Sequence, residues 1–120
     1  PAHLETWYGY TKLLGDAHVQ LKSKNYLICR ESHKPYPFPY KQAWDDIETN
    51  CDFVPTIAGL ITQLINKGAT GVFNVGTEVK SIFELAFKNG FDVDPISTPI
   101  KAPRDISMNL SKLETFLHED

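Results

Sequence analysis

Two short apolar runs limit what this chain can fold into: Tyr26-Leu27-Ile28-Cys29-Arg30 and Gly71-Val72-Phe73-Asn74-Val75-Gly76. Neither alternates apolar with polar residues along its length. The first has the character of a strand covered on both faces, the kind that sits inside a parallel sheet. The second is bounded by glycines, which punctuate a strand cleanly. Between them, Ile57, Ala58, Leu60, Ile61, Leu64 and Ile65 recur at helical spacing, with Pro55 suited to the first turn and Gly68 to the stop. Strand, helix, strand in that order predicts an α/β fold. It should contain two main strands, a few short ones and three or four helices.

The segment before the first strand carries the chemistry. Residues from about Leu4 to Leu21 read as a helix, with Trp7, Tyr8, Leu14, Ala17, His18 and Leu21 at the three-to-four spacing of a buried stripe. Gly9 and Gly15 each cost that helix about 1 kcal/mol against alanine, and close approach of another backbone is one reason to keep them. Tyr8 and Lys12 lie one helical turn apart, so both project from one face. An ammonium there favours the phenolate and lowers the tyrosine pKa from its ordinary value of about 10. A tyrosine tuned this way can exchange a proton with a carbonyl or hydroxyl group undergoing hydride transfer.

The rest of the chain divides into identifiable pieces. Glu31 to Cys51 shows no consistent period. Pro35, Pro37 and Pro39 alternate there with Tyr36, Phe38 and Tyr40, which predicts an extended surface loop with aromatic anchors or a substrate-facing loop. Asp52-Phe53-Val54 reads as a very short strand. Ser81-Ile82-Phe83-Glu84 is a capping box opening a helix that runs to about Lys88. Residues 95–103 are extended and punctuated by proline. Ser111-Lys112-Leu113-Glu114 repeats the capping-box spacing and should open a short last helix, with Lys112 solvated on its surface.

Length and composition exclude several function classes. At 120 residues the chain has the size of one domain. A net charge of −3, with no basic stripe, argues against nucleic-acid binding. No apolar run approaches the roughly 20 residues needed to span a membrane. The absence of a secretory pattern predicts a cytoplasmic protein, with Cys29 and Cys51 as reduced, mostly buried thiols. They are too widely spaced for a Cys-x-x-Cys metal or redox motif, and no metal-ligand cluster appears.

The Tyr8-Gly9-Tyr10-Thr11-Lys12-Leu13-Leu14-Gly15-Asp16 stretch resembles the active-site helix of the extended short-chain dehydrogenase/reductases, the superfamily of sugar-nucleotide epimerases, dehydratases and reductases. Further segments resemble it in the same order. Tyr26 to Ser32 is similar to the strand after that helix, and Asp52-Phe53-Val54 with Ile57-Ala58 to the segment leading into a later helix. Gly71 to Thr77 is similar to a Gly-x-(Phe/Tyr)-Asn-(Val/Ile)-Gly strand. Pro103 to Leu113 resembles the terminal segment typical of dTDP-4-dehydrorhamnose reductases. The resemblance spans almost the whole chain and corresponds to the second half of the family's usual length.

That resemblance implies a C-terminal portion of an NAD(P)-dependent sugar-nucleotide oxidoreductase, a partial Rossmann-like fold. Residues 1–31 would form the active-site helix and its strand, and 32–120 the substrate-binding region of the same single domain. Tyr8 would be the catalytic acid/base. Lys12 would bind the nicotinamide ribose while lowering the tyrosine pKa. Arg104 would border the nucleotide-sugar pocket, where a guanidinium can grip phosphate. The pattern also has departures. Glu31 stands where a small hydroxyl residue is common, and the hydroxyl residue that accompanies the tyrosine in the family has no counterpart here. No strand followed by a glycine-rich turn and helix is present to hold a dinucleotide pyrophosphate. The isolated chain is therefore expected to be inactive, and to need either a dinucleotide-binding half or a homo-oligomer. The rival expectation is a non-catalytic binding or oligomerisation module derived from that fold, with exposed sheet edges that self-associate.

Overall fold

The computed structural model describes residues 7–98 and 104–118. Among these the chain is mixed α/β, with four helices and six short strands. Helix α1 (Trp7–Lys22) leads into β1 (Leu27–Arg30), followed by β2 (His33–Lys34), β3 (Gln42–Trp44) and β4 (Asp52–Phe53). Then come α2 (Val54–Asn66), β5 (Gly71–Asn74), α3 (Ile82–Lys88), β6 (Asp94–Ile96) and α4 (Ser111–His118). All three strand pairs are parallel: β1 with β5, β2 with β4, and β3 with β6.

The central pair is the one the apolar runs predict. Leu27 stands opposite Gly71 and Arg30 opposite Asn74. Parallel strands need a long crossover, and α2 lies within it. Pro55 occupies the first turn of α2, where its missing amide costs nothing. The helix ends at Gly68, whose φ of +73° is left-handed; the Gly68 and Ala69 amides donate back to the Ile65 and Leu64 carbonyls. One apolar core joins these elements: Ile57 and Leu64 of α2, Phe73 and Val75 at β5, and Leu113 of α4. Leu64 and Val75 are completely buried.

A second core explains why 31–51 is more ordered than its irregular sequence suggests. Phe38, Ala43, Cys51, Phe53, Leu85, Ala86 and Val93 form one buried cluster. Phe38 is enclosed by rings, packing against Phe53 and Phe91. Tyr36 meets the same two rings edge-on. The stretch is not extended throughout, since the chain bends at Tyr36 and Pro37, and β2 and β3 form on either side of the bend by pairing with later strands. Such long-range pairing cannot be read from local periodicity.

Two sequence expectations need correcting in detail. The Ser81 capping box forms as expected, with both reciprocal bonds present. Ser111, however, is the first residue of α4, and its amide donates to Asn109 Oδ1 at 2.9 Å. The carboxamide two residues earlier supplies the cap. Lys112 is exposed on the surface of α4, as expected, but its ammonium is engaged: it donates to the Val72 carbonyl at 2.7 Å and lies 4.3 Å from the centre of the Phe73 ring. Of the expected helix 4–21, residues 4–6 lie outside the described residues, as do 99–103 of the proline-punctuated segment.

Candidate functional site

α1 forms over the Tyr-x-x-x-Lys motif and places Tyr8 and Lys12 one turn apart along its backbone. From Tyr10 to Lys22 every residue is exposed except Asp16, which is half-buried, so Leu14, Ala17, His18 and Leu21 do not form the buried stripe that their spacing predicts. Asp16 anchors the helix to the sheet: Arg30 Nε donates to its Oδ2 at 2.9 Å, and Nη2 lies 2.8 Å from the same oxygen. The motif-bearing helix is thereby tied to the C-terminal end of β1. Gly15 has no atom within 4 Å of where a Cβ would stand, so no described backbone approaches it.

Arg104 sits on the segment leading towards α4 and is paired. Its Nη1 donates to Asp46 Oδ2 at 2.6 Å, although the side chain as a whole is 60% exposed. Asp46 also receives the Thr98 hydroxyl at 2.6 Å and the Thr98 amide at 3.0 Å. These Thr98 bonds, side chain first, hold the Asp46 carboxyl below its ordinary value against the opposing effect of burial, and the Arg104 charge adds a smaller push in the same direction. Backbone bonds fix the same place: Glu48 N donates to Arg104 O at 2.7 Å, and Ile106 N to Glu48 O at 2.8 Å. Arg104 is thus held through one nitrogen, leaving guanidinium donors that an anion can use.

Asn50 is the residue that ties this region to β5, and its sequence gives no hint of the role. Buried to 3% exposure, it donates through Nδ2 to Thr77 O at 2.9 Å, and its Oδ1 accepts from the Met108 amide. Its own carbonyl accepts from Thr77 N at 3.0 Å. Gly76 permits the approach, since a Cβ there would stand 2.6 Å from Asn50 Cβ and 2.7 Å from Asn50 O. Beside it Lys80 is enclosed, with Nζ 2.6 Å from Thr77 Oγ1 and 2.8 Å from Glu78 O, and with Asp52 Oδ2 at 3.9 Å. Thr77 completes the group by donating to Asp52 at 2.6 Å. A buried ammonium with this many partners is a structural pin.

An open cleft of about 620 Å³ runs alongside α4, bordered by Asn50, Thr77, Glu78, Asn109, Glu114 and His118. No described residue of α1 lines it, and neither does Arg104. The chain matches no protein-family model, no curated protein and no solved structure.

The residues present fit a dinucleotide only in part. Lys12, the residue the resemblance assigns to the nicotinamide ribose, lies exposed on α1. Gly76, the glycine that follows β5, is filled by Asn50 and so presents no backbone cradle to a pyrophosphate. The thiols offer no nucleophile: burial and then Glu31 push Cys29 upward, and burial pushes Cys51 to about 11 despite Lys34 and Lys80. Among the described residues no group of three or more His, Cys, Asp or Glu side chains could hold a metal, and no helix is long and apolar enough to cross a membrane.

Proposed function

We propose that this chain is the proton-transfer and substrate-binding portion of a nucleotide-sugar oxidoreductase of the extended short-chain type, similar to dTDP-4-dehydrorhamnose reductase. The observation that supports it most is local order in sequence and in space. The Tyr-x-x-x-Lys helix runs directly into β1, and β1 pairs in parallel with the Gly-x-Phe-Asn-Val-Gly strand β5. In this reading Tyr8 exchanges a proton with the sugar oxygen, and Lys12 keeps the phenol acidic while engaging the ribose of NAD(P). The nicotinamide, when bound, supplies or accepts the hydride. Arg104, steadied by Asp46, engages the diphosphate of the nucleotide sugar with its remaining donors. Gly76 is filled by Asn50 and would give a cofactor pyrophosphate no backbone cradle, so the 120 residues alone are expected to bind the substrate side and not to turn over.

The reading is tested by titrating the chain with dTDP-glucose and UDP-glucose while following its amide resonances. Saturable shifts around residues 104–108 are expected, and Arg104→Ala should weaken binding about tenfold, the loss of one charge-assisted contact. Binding that is unchanged in Arg104→Ala would remove this residue from the site. No binding of either sugar would contradict the substrate assignment.

A further inference from the structure

The Arg104 guanidinium is held in one direction. Its Nη1 donates to Asp46 Oδ2, and among the described residues its Nε and Nη2 make no bond. Nη1 lies on the Cδ side of the guanidinium, so holding it leaves the Nε–Nη2 edge whole. That edge is a pair of parallel donors, the fork that matches two oxygens of one phosphate group. Asp46 is fixed in turn from the other side by Thr98, whose hydroxyl donates to Oδ1 at 2.6 Å and whose amide donates to Oδ2 at 3.0 Å. Thr98 is buried and lies just past β6, and Asp46 lies just past β3, the strand that pairs with β6 in parallel. The Asp45 amide donates to the Ile96 carbonyl and closes those two strand ends on one another. A chain of contacts thus runs from a buried strand end to an exposed guanidinium. It sits outside the carboxyl ends of a parallel pair, where α/β sheets receive ligands.

The charges around Arg104 make direction matter. Asp46 already balances its positive charge, and the exposed Glu48 and Asp105 pair with one another through their backbones beside it. A cation in that setting holds phosphate poorly as a diffuse charge, and well only through an oriented fork. We propose that Thr98 is a positioning residue for the nucleotide-sugar diphosphate: through Asp46 it aims the Nε–Nη2 edge of Arg104 at two oxygens of one phosphate group. The inference rests on the assignment of Arg104 to that diphosphate. It adds that the contact is bidentate, that a point charge at position 104 does not replace it, and that a buried hydroxyl from another strand end sets its aim.

Titration of the whole chain with dTDP-glucose tests this. Arg104→Lys keeps the charge and loses the fork, so it should weaken binding nearly as much as Arg104→Ala, about tenfold. Thr98→Val keeps the side-chain volume and the amide bond but deletes the hydroxyl bond, and should weaken binding about fivefold. Thr98→Ser should restore the parent affinity. In an Arg104→Ala background Thr98→Val should have no further effect on binding, a coupling that a merely structural role would not produce. A second measurement covers the case in which Thr98→Val does not fold. Arg30 and Arg104 are the two arginines of the chain, and Arg104→Lys assigns the Arg104 Nε–H resonance. In the parent chain that resonance should shift and saturate with dTDP-glucose. Unchanged affinity in Arg104→Ala would overturn the diphosphate assignment, and this inference with it. If Arg104→Ala does weaken binding, parent-like affinity in Arg104→Lys or Thr98→Val would overturn the proposal alone. So would a Thr98→Val effect that persists without Arg104, an affinity that Thr98→Ser fails to restore, or an Arg104 Nε–H signal that stays in place.

Discussion

Asn50 and Gly76 show how much one side chain can decide. The carboxamide bonds Thr77 with its nitrogen and Met108 with its oxygen, so it sets the path of the 104–109 segment relative to β5. Glycine at position 76 is a consequence of that contact, because any Cβ would meet the Asn50 backbone at 2.7 Å. Backbone cannot yield as a flexible side-chain tip does. Gly76→Ala is expected to destabilise the fold by about 2 kcal/mol, the scale of overpacking in a rigid site. Chemical denaturation reads it directly, and an unchanged midpoint would show that the segment relaxes freely. Nothing in the sequence singles out Asn50, since a buried polar hub is defined by partners that lie 27 and 58 residues away. By contrast Ser81 and Glu84 announce their roles, because a capping box closes within four residues.

Among elements, legibility follows the same rule of distance. α2, β5 and α3 were readable because their boundaries rest on local glycine, proline and capping residues. β2, β3 and β6 were not, since each is two or three residues long and exists only through its partner. The Arg104 segment is also set by distant partners. Asp46, a residue without a motif, joins the Thr98 strand end to Arg104 across 52 and 58 positions. This junction should be acid-sensitive. Thr98 and Arg104 favour the charged carboxylate, so the folded pKa lies below the unfolded one. The stabilisation is complete above the ordinary value near 3.8 and is lost as pH falls through the lowered folded value. Asp46→Asn should thus lower the urea midpoint at neutral pH and converge with the parent chain on the acid limb. A gap that stays constant across that range would mean the Asp46 charge contributes nothing.

At the scale of the molecule, the described structure is a pair of apolar cores carrying three parallel strand pairs, with α1 attached at one side through Asp16 and Arg30. The candidate site is distributed over that frame: Tyr8 and Lys12 on the exposed helix, Arg104 on a segment pinned from Asp46 and Glu48. The motif was legible because Tyr8 and Lys12 are one helical turn apart along the backbone of a single element. How Arg104 is held was not, because it depends on the fold of everything between. The central claim is that Tyr8 and Lys12 act as one acid/base unit. It is tested most directly by carbon-13 titration of the tyrosine Cζ resonances in the whole chain, with Tyr8→Phe assigning the signal. The account predicts a Tyr8 phenol that ionises below the ordinary value of about 10 and moves up by about one unit in Lys12→Ala. A Tyr8 titration that is the same with and without Lys12 would contradict it.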